Sequence, residues 1–372
     1  IQSVAAKIAA QHRSADSLVL VVSAMAKTTD EFVRLAYGIT EHPSRRELDM
    51  LLTAGERISM SLMSLALQEK GFSSISFTGS QSGILTDDKH GNARILTVNA
   101  FRIREELMLG KIVIVAGFQG VSPAKEITTL GRGGSDTSAV ALACYLKADR
   151  CEIFTDVDGV FTADPRIVPE ARLLPSIDYA QMLALSYNGS KVIHPRAVEF
   201  ATKFEIPVEV KSSFTFAPGT IIQKEIAKEH SMEERNISAI AHKENLVRYV
   251  LTANSELLDL FQVWHNEIFK YNVDKDRIEL LIEDKYQKEI DYLIANNHLD
   301  LIEKEVGIGC VNLVGLGINL DPVFLAKTIR VCRGFDVSRI QHSEMTIELT
   351  LPTSQVQDCV RTVHAAFIGE AK

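Results

Sequence analysis

The chain has 372 residues, 46% hydrophobic and 24% charged, the balance of a globular protein with more than one core. A formal net charge of −8 argues against nucleic acid or an anionic membrane as main partner, since both need a basic face. No apolar run is long enough to span a bilayer, and Ile1 opens into a mixed helical pattern rather than a signal peptide, so the expected location is the cytoplasm. The cysteines Cys144, Cys151, Cys310, Cys332 and Cys359 are scattered and form no CxxC, which reads as reduced packing residues.

In chain order, Leu18–Ser23 is the first continuous apolar strand, and Ser74–Phe77, Lys111–Gly117 and Cys151–Asp156 resemble it. Runs apolar on both faces belong to central parallel strands covered by helices. Helical patterns fall between them at Arg45–Lys70, Asn99–Met108 and Thr137–Leu146. This alternation predicts an α/β fold with right-handed crossovers. Ligands on such sheets bind at the carboxyl ends of the strands, where Ser23, Gly117-Phe118, Thr155-Asp156 and the Gly131 loop all fall. The charged stretch Lys224–Arg235 reads as a connector or a solvated helix end. Beyond it two shorter α+β units share a plan. The first has strand Leu246–Leu251, helix Ser255–Tyr271, strand Arg277–Glu283 and helix Lys285–Asn296. The second has strand Cys310–Leu316, helix Pro322–Arg333, strands Asp336–His342 and Met345–Pro352, and helix Gln355–Phe367.

Chemistry concentrates in Gly131-Arg132-Gly133-Gly134-Ser135-Asp136, with an apolar helix-forming run starting at Ala139. Glycines let the backbone approach a ligand, and a loop opening into a helix aims N–H groups at an anion. A plain turn does not need Arg132 and Asp136 on one loop, but a site for a charged small molecule does. Thr155–Phe161 turns through Asp158-Gly159 and continues to Arg166, either as turn punctuation or as a nucleotide contact with Asp156 near ribose or metal and Arg166 near phosphates. Lys191 follows the turn Asn188-Gly189 and is placed to reach a phosphate, whereas His194 beside Pro195 reads as structural. Glu56 lies in an otherwise apolar helix and must pair with Arg57, a capping group or a ligand ammonium. P-loop, GxSxG, protein-kinase and HExxH signatures are missing. Phosphate donors and carboxylates remain, which is the equipment of phosphoryl transfer.

Ser23–Thr29 (SAMAKTT), Gly55–Ser59, Thr129–Asp136 (TLGRGGSD), Thr155–Arg166 (TDVDGVFTADPR) and Ser190–Pro195 (SKVIHP) together resemble the aspartate kinases, in order along the first sixty per cent or so of the chain. The resemblance implies an amino-acid-kinase-like open, mainly parallel sheet sandwiched by helices, followed by two ACT-type, ferredoxin-like regulatory units. It implies domains over 1–223, 236–305 and 306–372, and ATP-dependent phosphorylation of the L-aspartate side chain with Mg2+ held by the nucleotide. Lys191, Asp136 and Arg132 would be catalytic. Ser23, Thr29, Glu56, Phe118, Arg132 and Ser135 would bind aspartate, with Arg132 clamping a carboxylate. Thr155, Asp156, Phe161, Arg166 and Lys191 would bind ATP, Phe161 standing where relatives often carry Tyr, and no residue is assigned as a metal ligand. A lysine or threonine effector and a homodimer through the ACT units are further implications. Two departures follow. The family opens with a strand bearing Lys-Phe-Gly-Gly-Thr-Ser, whereas this chain starts at Ile1 in what would be the first helix. Its first C-terminal unit is short before Arg277 and carries Thr252-Ala253-Asn254-Ser255 where lysine-sensitive members have a His-Ser-Arg-like turn. Alternative readings are an ACT-type binding protein that keeps the kinase fold as scaffold, and an amino-acid kinase for another acidic substrate.

Overall fold

The computed structural model describes residues 1–12, 16–215, 217–224, 237–254, 257 and 268–369. The expected connector past Lys224 and most of the expected helix Ser255–Tyr271 lie outside them. The chain forms two units: Ile1–Asp158, Ser176–Tyr179 and Val192–Glu225 make one, and Gly159–Pro175, Ala180–Lys191 and Ile226–Lys372 the other.

In the first unit α1 (Gln2–Gln11) precedes β1 (Val19–Val22), α2 (Thr28–Ile39), α3 (Arg45–Leu52) and α4 (Ala54–Glu69). The single helical pattern expected over Arg45–Lys70 is therefore two helices. They part at Thr53, whose hydroxyl donates to the Met50 carbonyl (3.1 Å) and whose own carbonyl accepts from Gln119 Nε2 (3.2 Å). Such bonds compete with the helical ladder. Next come β2 (Ser74–Phe77), β3 (Ile84–Thr86), β4 (Ile95–Val98), α5 (Phe101–Met108), β5 (Ile112–Ala116), β6 (Gln119–Val121), β7 (Ile127–Thr129), α6 (Gly134–Leu146) and β8 (Cys151–Thr155). β5 runs parallel between β1 and β2 and is buried at every position. Its alternating side chains explain the continuous apolar run. Ile112, Ile114 and Ala116 pack with Met60, Met63 and Leu67, while Val113 and Val115 pack with Ile103, Ala141 and Leu142. The chain continues through β9 (Ser176–Ile177), α7 (Tyr179–Tyr187), α8 (Pro195–Phe204), β10 (Val208–Ser212) and β11 (Thr220–Ile222). β8 lies parallel to β10 in a separate sheet ordered β8-β10-β11-β9, and a third sheet runs β4-β3-β6-β7.

The second unit is built on one antiparallel sheet. Its elements are β12 (Ile237–Thr252), β13 (Ile268–Asp274), β14 (Arg277–Glu283), α9 (Gln287–Asn296), β15 (Leu301–Gly315), α10 (Pro322–Val331), β16 (Arg339–His342), β17 (Thr346–Pro352) and α11 (Thr353–Phe367). The expected helix through Tyr271 is overturned at its end: Ile268–Asp274 is a strand paired with Arg277–Glu283. Lys275-Asp276 makes the turn, with Lys275 at φ 46°. The β-favouring alternation of Phe269, Tyr271 and Val273 outweighs the helical pattern there, and this strand accounts for the shortness expected before Arg277.

The sheet order is β13-β14-β12-β15-β17-β16. β12 and β15 are each long enough to serve twice. Leu246–Thr252 pairs with β14, whereas Ile237–Lys243 pairs with Cys310–Gly315. Asn245, at φ 56°, marks the change. The result is two four-stranded halves that share β12 and β15. One half packs Val247, Tyr249 and Leu280 against Ile290 and Ile294 of α9. The other packs Leu313, Ile347 and Leu349 against Val356, Val360 and Val363 of α11. The five cysteines are buried and unbridged. Among the described residues no helix is long and apolar enough to cross a membrane.

Candidate functional site

The glycine loop sits where β7 hands over to α6. Gly131 and Gly133 have φ of 76° and 62°, conformations that suit glycine. Space decides as well: a Cβ on Gly133 would lie 2.2 Å from His194 Cβ, and one on Gly134 would lie 2.8 Å from the Phe118 ring. α6 starts at Gly134, three residues before the expected Thr137, so Ser135 and Asp136 occupy its first turn. No side chain caps α6, and its N-terminal dipole is open to an anion.

A buried carboxylate and a half-buried guanidinium, not singled out from the sequence, hold this loop. Asp49 is 1% exposed and accepts from Thr129 N (3.2 Å), Thr129 Oγ1 (2.5 Å) and His90 Nδ1 (2.8 Å). Arg196 donates to the Leu130 carbonyl (2.6 Å), the Ala93 carbonyl (2.9 Å) and Asn92 Oδ1 (3.2 Å). The sequence signal was an Asp beside Met50-Leu51-Leu52 and an Arg directly after His194-Pro195. His194 caps α8, its Nδ1 accepting from Arg196 N at 3.4 Å. Burial first, then the Arg196 and Arg132 charges, pushes its pKa down, which keeps the ring neutral. Its backbone N–H donates to Asp136 Oδ2 at 3.4 Å. Burial raises the Asp136 pKa, and that bond opposes the rise.

The ends of β1 and β5 meet the start of α6. A Cβ on Gly117 would lie 2.9 Å from both Ser135 Oγ and Val21 Cγ1. Phe118 takes a strained φ of 67°, and its N–H donates to Ser138 Oγ at 3.1 Å. Ser23 follows β1, and Thr29 lies half-buried in the first turn of α2. Glu56, 3% exposed, reaches the same strand end, where Oε1 accepts from Ala24 N at 3.0 Å. Its Oε2 has no partner, and neither does Arg57 Nε, so the Arg57 pairing is not made. The first unit thus gathers Arg132, Ser135, Asp136, Phe118 and Ser23, with Glu56 beside Ala24.

Burial raises the Glu56 pKa, against two backbone hydrogen bonds that lower it. The unfolded chain ionises near 4.5 while the buried group resists, so stability is lost as pH rises from that value through the raised folded-state pKa. Glu56→Gln is expected to melt higher than the parent by about 2 °C at neutral pH. The gap should close below the ordinary carboxylate pKa. Thermal melts across that range check it, and a pH-independent gap would refute it.

The nucleotide candidates divide between the units. In the first, Thr155 ends β8 with Oγ1 3.1 Å from Asp156 Oδ1, and its carbonyl accepts from Ser213 N at 2.8 Å. In the second, Phe161 bridges to Leu173, and Arg166 pairs with Asp164 through Nε (3.0 Å) and Nη2 (2.7 Å). The guanidinium holds the Asp164 carboxyl below its usual range. Lys191 is exposed just past the Asn188-Gly189 turn. Lys191 and Arg166 both add to burial in pushing His242 down. His242, within the alternation of β12, is a neighbour of these cations that the sequence reading missed. Among the described residues no group of three or more His, Cys, Asp or Glu side chains is arranged to hold a metal ion.

Residues 1–212 match the model of the amino acid kinase family. Aspartokinase of Bacillus sp. (strain MGA3) is 40% identical over 99% of this chain and 93% of its own length. Aspartokinase 2 of Bacillus subtilis (strain 168) is likewise 40% identical, with the same coverage of both chains. Among solved structures, E. coli aspartokinase III in complex with aspartate and ADP superposes with a TM-score of 0.80 at 23% identity, covering 98% of this chain and 96% of that one. This likeness extends the kinase fold through the C-terminal ACT-like halves. A catalytic α/β fold that matches the family model and full-length relatives of this similarity settle the lineage: the chain belongs to the amino acid kinase family and, within it, to the aspartokinases.

Proposed function

We propose that the chain transfers the γ-phosphoryl group of ATP to the side-chain carboxylate of L-aspartate, forming 4-phospho-L-aspartate, the first step towards lysine, threonine, methionine and diaminopimelate. The carrying observation is the pairing, within one unit, of the Arg132–Asp136 loop with the buried, half-partnered Glu56. A small zwitterion with an extra carboxylate complements that set. Arg132 grips a carboxylate through its planar fork. Glu56 takes the ammonium with its open oxygen, and Ser23, Thr29, Phe118 and Ser135 line the remainder. The nucleotide falls to Thr155, Asp156, Phe161, Arg166 and Lys191, with Lys191 on the phosphates. The attacking carboxylate is ionised at neutral pH, so no general base is required. Catalysis then rests on alignment and charge neutralisation, for which Lys191 and Arg132 supply the positive charge and Asp136 orders the cations. Mg2+ belongs with the ATP phosphates, as a hard cation that keeps several waters.

In the same reading residues 1–223 are the catalytic portion, and 236–305 and 306–372 are successive ACT-like units in a cytoplasmic homodimer. A lysine or threonine effector fits their regulatory role. The test is hydroxylamine trapping of the acyl phosphate, using a protein with its natural N-terminus. Hydroxamate that requires both ATP and aspartate supports the reading. Tight amino-acid binding without turnover would favour a scaffold that only binds its ligand.

A further inference from the structure

The turn that carries Lys191 is gripped by the regulatory sheet. α7 ends at Tyr187, and Asn188 closes it with Nδ2 2.6 Å from the Ala184 carbonyl. Three contacts then fix the turn. Lys270 Nζ, on β13, donates to Asn188 Oδ1 at 2.6 Å. Asn312 Nδ2, on β15, donates to the Asn188 carbonyl at 3.3 Å. Gly189, at φ 110°, lies so close to β12 that a Cβ would stand 2.3 Å from the His242 carbonyl oxygen. Lys191 follows two residues later.

The grip depends on both halves of the sheet. Lys270 belongs to β13 of one half, and it forms an ion pair with Glu348 on β17 of the other. Asn312 Oδ1 lies 3.4 Å from the same ammonium. Glu348 is 3% exposed and Asn312 fully buried, while Lys270 is half-buried, so the acceptor side of the cluster is shielded from solvent. Desolvation works against the Lys270 charge, and the Glu348 carboxylate opposes that loss. The remaining Glu348 oxygen has no partner, leaving Lys270 as the group that neutralises it. A buried carboxylate stripped of its cation is costly, so this cluster has a strong preference for one arrangement.

We infer that Lys270 is a positioning residue: with Glu348 and Asn312 it sets the Asn188-Gly189 turn, and through it the place of Lys191 on the ATP phosphates. The link gives the two regulatory halves a direct mechanical hold on a nucleotide-binding side chain. A shift of β13 relative to β17 breaks or remakes the Lys270–Glu348 pair and releases or seats the turn. The role of Lys191 here rests on the kinase reading, but the grip itself does not.

The experiment has two arms on the full chain. Hydrogen exchange of residues 185–193 reads the grip without any turnover. Lys270→Met is expected to speed exchange there at least about tenfold. Steady-state kinetics reads the consequence: the ATP KM rises about tenfold while the aspartate KM stays within about twofold. A merely structural role would raise both together or lower only the yield of folded protein. Should Lys270→Met not fold, Lys270→Gln, which keeps a donor for Asn188 but no charge, takes its place with the same expectations. Unchanged exchange in the turn overturns the inference. So does faster exchange with an unchanged ATP KM in an active enzyme. A wild-type chain without ATP- and aspartate-dependent turnover refutes the kinase reading instead, and the exchange arm still decides whether Lys270 holds the turn.

Discussion

Gly133→Ala is expected to lower kcat/KM for hydroxamate formation by about a hundredfold or more, the penalty for misplacing reacting groups by roughly 1 Å. The added methyl would lie 2.2 Å from His194 Cβ and 2.3 Å from its Cγ. Neither neighbour can yield. The His194 ring caps α8, and its backbone N–H is bonded to Asp136. The loop moves instead, and Arg132 and Ser135 move with it. The left-handed φ adds a backbone cost of about 1 kcal/mol for any L side chain. The fold itself should survive, because Gly133 is exposed and outside the core. Kinetics together with a thermal melt separate these effects. Activity within threefold of the parent would show that the loop is not where phosphoryl transfer is organised.

Arg132→Ala should act more selectively. Loss of a bidentate, charge-assisted grip is worth about 3 kcal/mol, or about a hundredfold in the aspartate KM. The ATP KM should change little, and the melting temperature should hold because the side chain is exposed. Arg132→Lys is expected to recover only part of the loss, since a point charge cannot supply the paired bonds of the planar fork. A substrate panel completes the test. If Arg132→Ala leaves the aspartate KM untouched while weakening another acidic amino acid, the substrate assignment is wrong even though the family is right.

What could be read from the sequence follows from how local each cause is. β5 was legible because burial on both faces demands an unbroken apolar run. The Gly131–Asp136 loop was legible because its residue types have no common structural use together. β13 was not, because the neighbouring pattern favoured a helix and its partner strand lies beyond a two-residue turn. The break at Thr53 hid for a similar reason: a side chain from residue 119 decides it. Asp49 and Arg196 were invisible as loop supports because their partners lie 80 and 66 residues away. Lys270 reaches across 82 residues to Asn188 and 78 to Glu348, which no periodicity records.

The trade of strands between the two regulatory halves has one further consequence. Residues 237–243 complete the half whose other strands come from β15 onwards, although the first half's own β13 and β14 intervene in the chain. Neither copy can therefore be inherited, grafted or trimmed alone. A cut between 305 and 306 would leave the downstream copy without its fourth strand and the upstream copy with an orphaned one. A change in β12 is felt by both copies at once, so two halves that began with one plan can specialise only in the parts they do not share. A piece that carries both copies whole must hold 237 to 369 together with Gly159–Pro175 and Ala180–Lys191, which belong to the same unit and supply Ala163, Ile167 and Val168 to its core.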